Sequence, residues 1–188
     1  MIYNELVNQL PYMCVPSCIL TVLKRRGLAK DYSQESIAGY LDFHNSDSTK
    51  DLYPQFPYDS DKAKWGCNVT SLNTQLFEPL DLPLKEDYRS YSNADKEIDY
   101  WGDEWSNYIK GVLKGDVDVI VSFDHAVIIN NPDKVYKHVS LVESIDEEGI
   151  HLLTPFDNKD TYREIVSIET FIKAMKSING GLWIIRNK

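Results

Sequence analysis

The chain has 188 residues, 43% of them hydrophobic and 26% charged, with a net charge of −9. This is an ordinary globular composition, and the length predicts one domain, residues 1–188, with a sizeable core. No basic block exceeds Lys24-Arg25-Arg26 and no apolar run reaches membrane-spanning length, so neither a nucleic-acid nor a membrane partner is expected.

Residues 8–27 organise the rest. Pro16 fits a first helical position, where its fixed φ and missing N–H cost nothing. After it Cys18, Ile19, Val22 and Leu23 form one apolar stripe, Lys24 to Arg26 suit the C-terminal dipole, and Gly27 supplies the stop. The spacing predicts a buried helix with Cys14 just before its start. A second helix is expected over 28–42, with Ser33 as N-cap and Ile37, Ala38 and Leu41 as its apolar face. From Phe43 to Gly66 the chain is polar but carries Tyr53, Phe56, Tyr58 and Trp65, a long loop that is either a solvated segment pinned by aromatics or a substrate-contacting one.

Val69, Leu72, Leu76 and Phe77 predict a short helix, residues 84–100 a strand and polar loop, and Trp101 to Leu113 a helix ended by Gly115. The second half changes period. Runs at 117–123, 126–129 and 139–142 are β-rich, Asn131-Pro132-Asp133-Lys134 is a turn, and Asp146 to Gly149 joins 138–145 and 150–154 in a hairpin. Ile168 to Met175 predicts a helix and 181–186 a closing strand. Helices first and antiparallel strands second is an α+β pattern.

The N-terminus lacks a basic stretch followed by an apolar one, so no targeting leader is expected. Cysteines at 14, 18 and 67 match no disulfide framework or common zinc pattern, which predicts thiols in a reducing, cytoplasmic setting, with no metal and no other cofactor. A thiol at a helix start is biased toward thiolate by the unpaired N–H groups and the dipole, so Cys14 is either a nucleophile or one more buried cysteine. A cysteine nucleophile needs a base. His138 opens a strand after a polar turn and is the first candidate, and His125, after an apolar run, is the second. His44 falls in the polar loop, where it is expected to be solvated, and His151 within a strand.

The order of these parts resembles the bacteriocin-leader-processing (double-glycine) peptidases of the papain-like superfamily and the related butirosin-type acyltransferases, bacterial enzymes. The matching stretches are Gln9…Cys14-Val15-Pro16-Ser17-Cys18-Ile19-Leu20, Asp31-Tyr32-Ser33-Gln34-Glu35-Ser36-Ile37-Ala38, His138-Val139-Ser140-Leu141-Val142 and Leu152-Leu153-Thr154-Pro155. The resemblance implies Cys14 as nucleophile, His138 as base and Gln9 as oxyanion donor. It also implies a peptide or acyl-carrier-linked substrate, with water or an amine as acyl acceptor. The chain departs from the family at three places. Gln9 lies five residues before Cys14 where six is usual, Val15 replaces the common Gly, and Thr154 stands where the orienting Asp belongs. Thr154 or Asp157 is therefore expected to complete the site, and a catalytically inactive binding module is the rival reading.

Overall fold

The computed structural model describes residues 3, 7–61, 65–67, 77, 80–90, 103–156 and 159–188. They pack as two compact units, one formed by Tyr3–Leu82 with Pro155–Thr161 and the other by Pro83–Thr154 with Tyr162–Lys188.

In the first unit, helix α1 runs from Cys14 to Arg25. It starts two residues earlier than the Pro16 signal suggests. Proline is still tolerated there, because the first four helical N–H groups have no intrahelical acceptor to lose. Helix α2 (Gln34–Tyr40) opens with a reciprocal cap: Ser36 N–H donates to Ser33 Oγ and Ser33 N–H donates to Ser36 Oγ. Ile37 and Ala38 are buried as expected, and Leu41, just beyond the helix, is buried too.

The long polar stretch after α2 is a folded segment with its own core. Met13, Ala38, Phe43 and Tyr53 cluster, with Leu10, Phe56 and Cys67 packed around them, and the Phe43 and Phe56 rings lie 5.1 Å apart. Buried Asn45 takes the place of a sheet here. Its Nδ2 donates to the Tyr53 and Phe56 carbonyls, and its own backbone pairs with Pro57 and Asp59. One side chain thus satisfies carbonyls that irregular backbone otherwise buries unpaired.

The second unit is built on a six-stranded sheet in the order β1-β6-β2-β3-β4-β5. Its strands are β1 (Leu84–Ser90), β2 (Asp118–Asp124), β3 (Lys137–Ile145), β4 (Ile150–Phe156), β5 (Lys159–Val166) and β6 (Gly181–Asn187). The β1–β6, β6–β2, β2–β3 and β3–β4 pairings are antiparallel, with a register shift in β3–β4 between Val142 and Ser144. Helix α3 (Asp103–Val112) contributes Ile109, and helix α5 (Ile168–Ser177) contributes Phe171, Ala174 and Met175, to a core shared with Val121, Phe123, Val142, Leu152 and Leu182. Burying one such aliphatic or aromatic side chain contributes about 1.5–3 kcal/mol.

Residues 126–129, expected as a strand, instead form part of the short helix α4 (His125–Ile128). The cause is Asp124. Its Oδ1 accepts from Ala126 N–H at 3.0 Å and Tyr136 N–H at 2.8 Å, which caps α4 and turns the chain off the sheet. Its Oδ2 accepts from Ser177 Oγ at 2.7 Å, tying in the end of α5. Strand β5 had no sequence signal. The helix expected near 69–77, apart from Phe77, and the loop over 91–100 lie outside the described residues. None of the described helices is long and apolar enough to cross a membrane.

Two glycines allow a direct test. Gly149, in the β3–β4 turn, has φ +142°, and an added Cβ would run into the Val166 carbonyl; Gly27, φ +70°, has open space around it. Gly27→Ala should cost only the left-handed backbone penalty, roughly 1–2 kcal/mol. Gly149→Ala should cost that and an overpacking term of about 1–3 kcal/mol more. Urea midpoints compared at constant m-value check the order, and equal losses would contradict it.

Candidate functional site

In the first unit, Cys14 is the first residue of α1 and half-buried. The segment before it is held down at several points. Ser17 Oγ donates to the Val7 carbonyl at 2.6 Å, and Val7 N–H donates to Thr21 Oγ1 at 3.2 Å. The buried amide of Gln34 then bonds on both sides of Gln9: Nε2 donates to the Asn8 carbonyl at 2.7 Å, and Oε1 accepts from Leu10 N–H at 3.0 Å. Gln9 is itself buried, and the Gln34 bonds fix the backbone on both sides of it. Gln34 was legible in the sequence only as a helix-start residue; its use as a clamp depends on tertiary approach.

None of the three cysteines is in a disulfide. Burial pushes the Cys18 thiol well up, and the neighbouring Cys14 adds to this. Cys67 is raised well above its usual value by burial, then by Cys14 and by Asp42. Both flanking thiols are therefore held protonated, and each is close enough to Cys14 to feel its charge. His44 is not simply solvated: its Nε2 lies 3.4 Å from Asp42 Oδ1 and its Nδ1 3.8 Å from Asp59 Oδ2.

In the second unit, His138 is the second residue of β3 and pairs across the sheet with Phe123 of β2. Its ring stands edge-on to Phe123, with centroids 6.0 Å apart, and lies 5.7 Å from the ring of His125. The two candidate bases are thus neighbours. His125 is buried, and its Nε2 sits 3.4 Å from Glu164 Oε2. Thr154 is fully buried on β4; its hydroxyl accepts from Ser140 Oγ at 3.2 Å and donates to Glu164 Oε2 at 3.4 Å. Asp157 lies outside the described residues. Glu164 is the residue that reading the sequence missed. It lies on the strand that had no pattern to reveal it, ten residues past Thr154.

The hairpin turn brings Asp146, Glu148 and His151 together, with His151 Nε2 2.8 Å from Asp146 Oδ2. The imidazole contact holds the Asp146 carboxyl below its usual range. All of this is on an open turn, where such groups pair without a bound ion.

No family model matches the chain, and no curated protein matches it in sequence. Among solved structures it is similar to a Bacillus anthracis protein described as a C39-like peptidase, at 14% identity and a TM-score of 0.58, over 100% of this chain and 98% of that one. The likeness is one of fold, an α+β arrangement of papain-like type spanning the whole chain.

Proposed function

We propose that this protein is a papain-like cysteine enzyme, performing hydrolysis or acyl transfer at a peptide, amide or thioester bond. The observation that carries the reading is the full-length fold likeness to a C39-like peptidase. Cys14 at the start of α1 and His138 at the start of β3 agree with it. Fold alone does not specify chemistry, so the assignment rests on roles. Cys14 gives up its proton to His138 and attacks the carbonyl carbon. The Gln9 amide and the Cys14 backbone N–H, the latter an orphan donor of the helix start, hold the oxyanion. The leaving group departs with the proton from His138, and a thioester remains on Cys14. Water then completes a hydrolase cycle and an amine a transferase cycle, from a peptide or acyl-carrier-linked donor.

Thr154 supports the second reading, an inactive binding module, because a hydroxyl cannot offset an imidazolium charge as a carboxylate does. Asp157, three residues on, is proposed as the alternative orienting group.

Cys14 should be the most readily alkylated thiol. A limiting iodoacetamide pulse followed by peptide mass mapping should label it roughly tenfold or more ahead of Cys18 and Cys67, whose thiols burial keeps protonated. Preferential labelling at either of those two would overturn the nucleophile assignment.

His138→Ala should lower the Cys14 alkylation rate and any turnover of amide or thioester substrates by about 10²–10⁴-fold, the usual contribution of a general base. A folded His138→Ala protein whose Cys14 reacts at the wild-type rate would favour the binding module.

A further inference from the structure

Thr154 raises a chemical question: where the histidine cluster finds a negative charge. Ser140 and Thr154 are both fully buried, and their hydroxyls align in one direction, Ser140 donating to Thr154 and Thr154 to Glu164 Oε2. The same Oε2 lies 3.4 Å from Nε2 of His125, in a pair whose side chains are only 8% and 15% exposed. His125 in turn lies 5.7 Å, centroid to centroid, from His138. A file of hydroxyls from β3 and β4 therefore ends on one carboxylate oxygen of β5, which His125 of α4 also faces.

We propose that Glu164 is the positioning carboxylate of this site, supplying through His125 the negative charge that Thr154 lacks. The hydroxyl at 154 is then a second donor that fixes the carboxylate, not a substitute for it. Glu164 faces the His125 ring with Oε2 3.4 Å from Nε2, where its charge attracts a proton on that nitrogen, and that ring lies beside His138. When His138 takes a proton, the positive charge forms beside an imidazole already paired with an anion, in surroundings of low exposure where the attraction is weakly screened. No proton is lost or gained overall: it moves from Cys14 to His138 and on to the leaving group. The anchor of the cluster is separately secured, because Asp124, next to His125, spends its oxygens on Ala126, Tyr136 and Ser177.

The consequence at Cys14 rests on the function proposed above, but the placement does not, and the experiment separates the two. The first measurement is a long-range ¹⁵N–¹H spectrum of the wild-type protein at pH 7.5. His125 should carry a proton on Nε2; protonation at Nδ1 alone would overturn the proposal without need of any variant. The second compares Glu164→Gln and Glu164→Asp, each checked for native circular dichroism. Glu164→Gln should shift the His125 ring nitrogens and slow Cys14 alkylation roughly tenfold, and Glu164→Asp should restore most of both. An unchanged His125 spectrum in folded Glu164→Gln would overturn the placement. A shifted spectrum with unchanged Cys14 reactivity would overturn the catalytic consequence. Absence of selective Cys14 labelling in wild type would instead count against the cysteine-enzyme reading, leaving the His125 spectrum to decide Glu164.

Discussion

The second unit depends on a buried carboxylate. Asp124 is 3% exposed, and its two oxygens accept three hydrogen bonds, from the start of α4, the entry to β3 and the end of α5. A buried anion is costly unless its lone pairs are met, and meeting them with donors from three elements makes the cost a constraint. The chain leaves β2 at Asp124, makes one turn of helix, and returns so that Tyr136 and then His138 are delivered to the β3 edge of the same oxygen. The adjacent rings of His125 and His138 follow from that geometry, not from any attraction between them.

The first unit uses the same device with neutral groups. Gln34 and Asn45 are buried amides, and each bonds two backbone groups that have no strand or helix partner. An unsatisfied buried carbonyl costs about 1–3 kcal/mol, so these side chains allow irregular segments to pack as tightly as regular ones. That matters at 7–13, an irregular stretch whose backbone Gln34 bonds at Asn8 and Leu10. Positioning by second residues of this kind is what separates a site from a collection of suitable side chains.

Polar side chains in this protein thus divide by what they are asked to do. Asp124, Gln34 and Asn45 each bond two backbone groups and give shape. Glu164 presents one oxygen, Oε2, to both the Thr154 hydroxyl and the His125 ring. The protonated thiols of Cys18 and Cys67 belong to the same logic, since two neighbours that resist ionisation leave Cys14 the thiol with a helix start in its favour.

Much of this was legible in the sequence. Periodicity located α1, α2, α5, the β3–β4 hairpin and β6, because each is governed by local rules: one apolar stripe, one cap, one Gly turn. Cys14 and His138 stood out because a helix start and a strand start are marked by neighbours in sequence. Local rules failed at 126–129, whose Ala-Val-Ile-Ile run is equally apolar as strand or helix; the choice was made by Asp124 bonding to Tyr136, twelve residues away. They failed again at β5, whose residues have no strong alternation, and so Glu164 went unseen. The expectation of one domain and of Thr154 or Asp157 beside His138 is a matter of groups distant in sequence, and no spacing rule reaches it. What the sequence determined by itself was most of the elements, with Cys14 and His138 at two of their starts. Only tertiary structure decided which carboxylate meets which ring, because that depends on β4, β5 and α4 meeting at one oxygen, a contact whose free energy exists only once the sheet is formed.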